Sequence, residues 1–127
     1  MRFLLDTHTV LWFFNGDSRL PVHLREILSN KSNIIYVSMI SFWEISIKSR
    51  KGKLELHRPL ADLVRLLRTH GFRFLTINLN HIYRLDTLKP HHHDPFDRML
   101  IAQSLAEDFI LIGYDEVFDR YGIRRLW

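Results

Sequence analysis

The chain has 127 residues, and its 18 Lys and Arg against 14 Asp and Glu leave a formal net charge of +4. This length predicts one domain, residues 1–127, with a hydrophobic core of its own. The absence of Cys excludes disulfides, thiolate metal ligands and a thiol nucleophile, and is consistent with a cytoplasmic location. The longest apolar run, Val10 to Phe14, is too short to cross a membrane, and the first residues do not resemble a signal peptide.

Short apolar runs alternate with helical patterns along the chain. In order, we expect a strand at 2–5, helices at 7–14 and 21–28, a strand at 34–37, a helix from 38 to about 52, a helix from 60 that ends before Gly71, a strand at 72–77, a helix at 80–88, a helix that begins at Asp94-Pro95, and strands at 109–112 and 123–127. Strands that are continuously apolar and separated by helices predict an α/β fold, with a parallel central sheet and helices on both faces. In such sheets, ligands bind beyond the carboxyl ends of the strands.

Four acidic residues are expected near that edge of the sheet. Asp6 follows the first strand directly, Asp115 follows the strand at 109–112, and Asp97 lies in the first turn of its helix. Glu44 shares the inward apolar face of the helix after the second strand. Clustered carboxylates repel one another, so either some of them take up protons or a hard cation neutralises them. Mg²⁺ and Mn²⁺ favour oxygen ligands, so the pattern predicts a divalent-metal site suited to phosphodiester chemistry.

Each acid also has a purely structural interpretation. These interpretations are a strand-end turn for Asp6, an i+4 ion pair with Lys48 for Glu44, a favourable position in the helix dipole for Asp97, and helix N-caps for Asp94 and Asp115. The common placement of the four acids favours a shared site, because unrelated surface acids should lie at both edges of the sheet.

Basic residues outnumber acidic ones further when these four acids are set aside, which suits a polyanionic substrate. The candidate contacts for such a substrate follow Glu44 closely and are Lys48, Arg50, Lys51 and Lys53. The alternative for these residues is a solvated basic face with no ligand.

Four segments resemble the PIN-domain family, and in particular the VapC-like toxins of prokaryotic type II toxin–antitoxin pairs. They are Leu4-Leu5-Asp6-Thr7-His8, Val37-Ser38 through Ser41 to Trp43-Glu44-Ile45, Asp94-Pro95-Phe96-Asp97-Arg98-Met99-Leu100-Ile101-Ala102-Gln103, and Leu111-Ile112-Gly113-Tyr114-Asp115. The third segment is the most specific. The resemblance implies a Rossmann-like fold and a metal-dependent endoribonuclease that uses Mg²⁺ or Mn²⁺ to hydrolyse RNA phosphodiester bonds.

The resemblance also assigns roles to residues and implies partners. Asp6, Glu44, Asp97 and Asp115 match the family's acidic quartet, which is both catalytic and metal-binding. Thr7 and Ser41 match hydroxyl positions near the acids, and Asp94 matches an acid that we interpret as a cap or an outer residue of the site. Gly113 stands where the family often has a hydroxyl residue. The family further implies a homodimer and a cognate antitoxin protein that holds the enzyme inactive.

Other functional classes fit the sequence less well. A receiver-like signalling domain needs an Asp after the third strand, where the chain has Asn78, and a haloacid-dehalogenase-like phosphatase needs a second acid that the segment from Asp6 to Thr9 lacks. The remaining alternative is a non-catalytic PIN-fold module with a binding or regulatory role.

Two further features have open interpretations. The tract from His91 to His93 is expected to be a loop that leads into the Asp94 cap, with phosphate or metal contact as the alternative. The helix that contains Val10 to Phe14 is apolar all round, which indicates either a second interface with another subunit or antitoxin, or packing within one subunit.

Overall fold

A computed structural model describes residues 1–127. Its five strands form one parallel sheet in the spatial order β3-β2-β1-β4-β5: β1 (Arg2–Leu5), β2 (Ile34–Ser38), β3 (Arg73–Leu75), β4 (Ile110–Ile112) and β5 (Arg124–Leu126). Six α-helices and one 3-10 helix connect them: α1 (Thr7–Phe14), α2 (Val22–Ser29), α3 (Met39–Arg50), α4 (Leu60–Thr69), α5 (Leu79–Asp86), α6 (Pro95–Glu107) and the 3-10 helix Glu116–Tyr121. The predicted α/β, Rossmann-like fold is therefore confirmed.

Hydrophobic cores lie on both faces of the sheet. Phe3 and Leu5 of the central strand β1 point into a core covered by α1, α2 and α4, and Leu4 points into a second core covered by α6. All three side chains are buried, so β1 is continuously apolar rather than alternating. No helix has the length and apolar character that a membrane crossing requires.

Strand β3 differs most from expectation, and several other elements begin or end one or two residues away from their expected bounds. Strand β3 is shorter than predicted because its neighbour β2 ends at Ser38, whose hydroxyl accepts a hydrogen bond from the amide of Ile40 and caps α3. Leu75 pairs with Ser38, so no β2 backbone remains to pair with Thr76 and Ile77. Helix α5 starts and ends one to two residues earlier than expected, and the 3-10 helix was not predicted.

Helix α1 packs within the subunit. Val10 and Leu11 are buried, and the three aromatic residues that follow them are partly buried against the same core. Packing within one subunit therefore accounts for most of the apolar surface of α1, although Trp12 also lines a cleft. The largest exposed apolar side chains lie instead mainly on α3 and α5 and include Met39, Trp43, Leu79, Ile82 and Tyr83.

The N-termini of five helices gather at the carboxyl edge of the sheet, and a polar side chain caps each of them. The caps are Asp6 for α1, Ser38 for α3, Asn78 for α5, Asp94 for α6 and Asp115 for the 3-10 helix. A side-chain cap stabilises a helix by about 1 kcal/mol, because it satisfies amides that have no partner within the helix. The fold thus brings three capping carboxylates to one edge.

Candidate metal centre

Asp6 uses its two carboxylate oxygens differently. Oδ1 accepts hydrogen bonds from the Thr9 amide at 2.8 Å and the Thr9 hydroxyl at 2.5 Å, which caps α1. Oδ2 accepts no hydrogen bond from the protein and lies beside Gly113, where an added β-carbon would come within 2.9 Å of it. Burial raises the pKa of Asp6, and the bonds from Thr9 offset only part of that effect. One oxygen therefore stabilises the helix, and the other is available to a ligand.

Asp115 has the same division of roles. Its Oδ1 accepts a hydrogen bond from the Val117 amide at 3.0 Å, and its Oδ2 lies 3.1 Å from His92 Nε2. The predicted N-cap is confirmed, and it leaves the second oxygen in the site. Capping and ligand binding are thus compatible roles for one carboxylate.

Asp97 bears the strongest electrostatic perturbation in the site. Burial, followed by repulsion from the carboxylates of Asp94, Glu44 and Asp6, raises the pKa of Asp97 from its ordinary value of 3.8 to about 8. In the metal-free protein, Asp97 therefore carries a proton at neutral pH. A divalent cation at this position would displace that proton.

His92 joins two of these carboxylates. Its Nε2 lies 3.1 Å from Asp97 Oδ2 and 3.1 Å from Asp115 Oδ2. Its Nδ1 accepts a hydrogen bond from the Asp94 amide at 3.1 Å, so the ring proton lies on Nε2. The His92 amide donates to the Tyr121 hydroxyl at 2.7 Å, which anchors the loop.

This tautomer determines what His92 can do. The ligand atoms of His92, Asp97 and Asp115 all lie within 4.8 Å of one another, a spacing that a metal ion could bridge. A protonated Nε2, however, donates its hydrogen to Asp115 Oδ2 and cannot itself coordinate a cation. The loop expected at 91–93 is confirmed, and the sequence offered phosphate or metal contact for the whole tract only as an alternative, without singling out His92. Its place two residues before an N-capping Asp was the available signal.

Glu44 lies behind these residues and is buried. Its Oε1 accepts a hydrogen bond from the Thr7 hydroxyl at 2.5 Å, and that hydroxyl lies 3.0 Å from the Ser41 hydroxyl. Its Oε2 is 2.5 Å from Lys48 Nζ, so the i+4 ion pair is confirmed. Thr7 and Ser41 are therefore close to the acids, as the resemblance implied.

Lys48 belongs to this buried network rather than to an exposed basic surface. Besides Glu44, its Nζ contacts Asp94 Oδ2 at 3.1 Å. This differs from the RNA contact expected for Lys48, whereas Arg50, Lys51 and Lys53 are exposed.

Asp94 is the N-cap of α6, as predicted. Its Oδ1 accepts hydrogen bonds from the amides of Phe96 at 2.8 Å and Asp97 at 3.1 Å. Burial acts to raise the pKa of Asp94, but hydrogen bonds from the Asp97 amide and from Lys48 outweigh it and lower that pKa below its ordinary value. Asp94 thus stays ionised, and its charge is balanced by Lys48.

Asp6, Asp97 and Asp115 line one cleft of about 1150 Å³, whereas Glu44 does not line it. None of the three is in contact with a Lys or Arg side chain. An all-oxygen donor set of this kind, with no Lys or Arg beside it, fits Mg²⁺ or Mn²⁺.

A family model of the PIN domain matches residues 3–124. The chain belongs to the PIN domain family. Comparison with curated protein sequences found no match for this PIN domain.

Solved structures share the fold of this PIN domain. VapBC2 from Rickettsia felis, bound to a DNA fragment from its promoter, has a TM-score of 0.76 at 15% identity, over 99% of this chain and 98% of that one. DNA-bound VapBC from Salmonella typhimurium has a TM-score of 0.72 at 20% identity, over 99% of this chain and 97% of that one. VapBC-1 from nontypeable Haemophilus influenzae has a TM-score of 0.69 at 19% identity, again over 99% and 97%.

Proposed function

We propose that this PIN domain is a Mg²⁺- or Mn²⁺-dependent endoribonuclease that hydrolyses RNA phosphodiester bonds, and that it is the VapC-like toxin of a toxin–antitoxin pair. The proposal rests mainly on Asp6, Asp97 and Asp115, which come from separate elements, line one cleft and contact no Lys or Arg. Carboxylates arranged in this way are electrostatically unfavourable without a cation.

Each acidic residue of the site, and His92, would have a distinct role in this proposal. A divalent cation, when bound, would stabilise negative charge on a phosphodiester and activate water for attack. Asp6 Oδ2, Asp97 and Asp115 would hold this cation, and His92 would keep the last two at a fixed separation. Glu44 would contribute buried negative charge that favours cation binding, because its carboxylate already raises the pKa values of Asp97 and Asp6.

The hydroxyls and basic residues have supporting roles in this proposal. Thr7 and Ser41 orient the Glu44 carboxylate. Arg50, Lys51 and Lys53 are exposed and remain candidates for contacts with RNA phosphates. The RNA preference itself comes from the family resemblance.

The partners of the protein belong to the same proposal. The similar solved structures are VapBC complexes, which supports a cognate antitoxin for this chain and, with an RNA substrate, a cytoplasmic location. For the homodimer, we propose the exposed apolar side chains of α3 and α5 as the contact surface, in place of α1.

The test is cleavage of structured and unstructured RNA by the purified protein, with Mg²⁺, with Mn²⁺ and with EDTA. We expect cleavage only with metal, and we expect Asp6→Asn and Asp97→Asn to lose at least 100-fold in rate. Asp108→Asn is the matched control, because Asp108 is 88% exposed and lies before β4, at the opposite edge of the sheet. Its backbone φ of 57° is one that Asn tolerates. Metal-dependent cleavage that both site variants retain would refute the assignment.

The alternative is a non-catalytic PIN-fold module. Lys48 pairs with both Glu44 and Asp94, and His92 lies between two other acids, so part of the cluster is held together without metal. This alternative predicts no RNA cleavage with Mg²⁺ or Mn²⁺, whether or not the metal binds. Cleavage by the wild type that is lost in Asp97→Asn would exclude it.

A further inference from the structure

The cleft that contains the carboxylates has an aromatic wall, formed by Trp12, Tyr114 and Trp127. The ring centroids of Trp127 lie 5.7 Å from those of both Trp12 and Tyr114, and the Trp12 and Tyr114 centroids are 6.5 Å apart. The rings meet edge to face, so none is stacked flat on another. The Tyr114 side chain is 64% exposed. The wall thus presents aromatic surface that the protein does not cover.

The aromatic wall is continuous with the metal centre. Tyr114 immediately precedes Asp115, and both residues line the same cleft as Asp6 and Asp97. A ligand with one group at the carboxylates therefore lies directly beside the wall. The cleft volume of about 1150 Å³ exceeds that of most small-molecule sites, which suits a segment of a polymer.

Arginines hold the wall in place without offering much free charge. Arg125 Nη1 donates to the Gly113 carbonyl at 3.0 Å, next to Tyr114, while its guanidinium pairs with Asp119. The Arg19 guanidinium lies 4.7 Å from the Trp12 ring centroid and pairs with its neighbour Asp17. Both cations are already balanced by carboxylates, so the wall attracts a ligand through its ring surfaces rather than through net charge.

Nucleobases have the chemistry that fits these observations. They are flat and aromatic, and they are attached to the phosphates that a metal at the carboxylates would bind. Their faces are accessible only where the strand is unpaired, since bases in a duplex stack on one another. We propose that the aromatic wall is a stacking subsite for a nucleobase of single-stranded RNA, next to the phosphate at the metal centre. This inference rests on the proposed function and adds the residues on which a base of its substrate would stack.

Binding of a fluorescein-labelled 12-nucleotide single-stranded oligoribonucleotide tests the subsite. Anisotropy is measured with Ca²⁺ as the cation, and a gel verifies that the RNA stays intact. Stacking predicts a loss in affinity of roughly tenfold for Tyr114→Ala, with most of the affinity restored in Tyr114→Phe. Val22→Ala is the control, because Val22 is 70% exposed and lies on α2, outside both the cleft and the proposed dimer surface. It should bind as the wild type does.

Oligonucleotides with a single abasic position provide a second readout. An abasic site at one position of the RNA should weaken binding to the wild type roughly tenfold. With that oligonucleotide, Tyr114→Ala should cause no further loss of affinity, because both changes remove the same contact. Quenching of Trp12 and Trp127 by the RNA should persist in Trp43→Phe, since Trp43 does not line the cleft. If both Tyr114→Ala and Trp127→Ala bind RNA with wild-type affinity, the stacking subsite is refuted, and a protein segment becomes the expected ligand of the wall.

These outcomes separate the subsite from the nuclease. If the wild type binds RNA through Tyr114 but does not cleave it with Mg²⁺ or Mn²⁺, the stacking subsite stands and the proposed nuclease fails. If the wild type cleaves RNA and Tyr114→Ala keeps the same KM, the nuclease stands and the subsite fails. Circular dichroism of each variant excludes a folding defect as the cause of lost binding.

Discussion

Asp97→Asn should make the metal-free protein more stable while it abolishes metal binding. Folding raises the pKa of Asp97 from 3.8 to about 8, so the folded protein binds a proton here that the unfolded chain releases near neutral pH. The free energy of unfolding must therefore fall as pH rises from about 4 to about 8. At pH 7, the difference between the folded and unfolded pKa values of Asp97 makes the protein about 4 kcal/mol less stable than at low pH. Solvent screens this effect little, because the side chain is only 23% exposed.

An Asn at position 97 has no charge to bury, so it removes this cost. At pH 7 the folded protein already carries a proton on Asp97, so the substitution removes no negative charge from the first turn of α6. The net gain at pH 7 should thus be about 4 kcal/mol. For a small domain this is a large fraction of the total stability.

Urea unfolding of wild type and Asp97→Asn in EDTA, at pH 5, 7 and 8.5, measures the effect. The advantage of Asp97→Asn should grow with pH and be largest at pH 8.5. Mn²⁺ should reverse the order, because it stabilises only the protein that binds it. Asp108→Asn, at an exposed position outside the site, should show no such pH dependence. The reasoning would be refuted if Asp97→Asn were no more stable than wild type at pH 8.5 without metal.

Three further substitutions test single contacts. Lys48→Met leaves the buried Glu44 carboxylate without its cation, so we expect a loss of about 2–4 kcal/mol in urea unfolding at pH 7, against no change for the exposed Lys51→Met. His92→Ala should weaken Mn²⁺ binding about 10- to 100-fold by calorimetry, and His92→Gln, which keeps an N–H donor, should weaken it less. Gly113→Ala places a β-carbon 2.9 Å from Asp6 Oδ2, so it should lower both Mn²⁺ affinity and Tm; an unchanged Mn²⁺ affinity would contradict the close approach.

Much of the fold could be predicted from local patterns. The strand and helix types follow from the period of apolar residues, and the starts of α1, α3 and α6 follow from capping residues such as Ser38 and Asp94. The end of β3 could not be predicted in this way, because it depends on where the neighbouring strand β2 stops. A strand in a sheet extends only as far as its neighbouring strand pairs with it, so the sequence of one segment does not determine its length.

The candidate site was predictable in its acids but not in their connections. The sequence places Asp6, Asp97 and Asp115 near one edge because each follows a strand or begins a helix. It offered a strand-end turn for Asp6 and an N-cap for Asp115 as alternatives to a site role, whereas in the structure each caps a helix with one oxygen and still lines the cleft. This division depends on how the carboxylate is oriented, which only the surrounding atoms determine.

The sequence by itself therefore determined the order of elements, the parallel α/β architecture and the edge at which acids collect, since these follow from local periodicity and capping. Tertiary structure alone decided that His92 joins Asp97 to Asp115, that Lys48 turns inward, and that distant aromatic residues form one wall. Such contacts join residues far apart in the chain. They depend on the relative positions of packed elements, which no local pattern encodes.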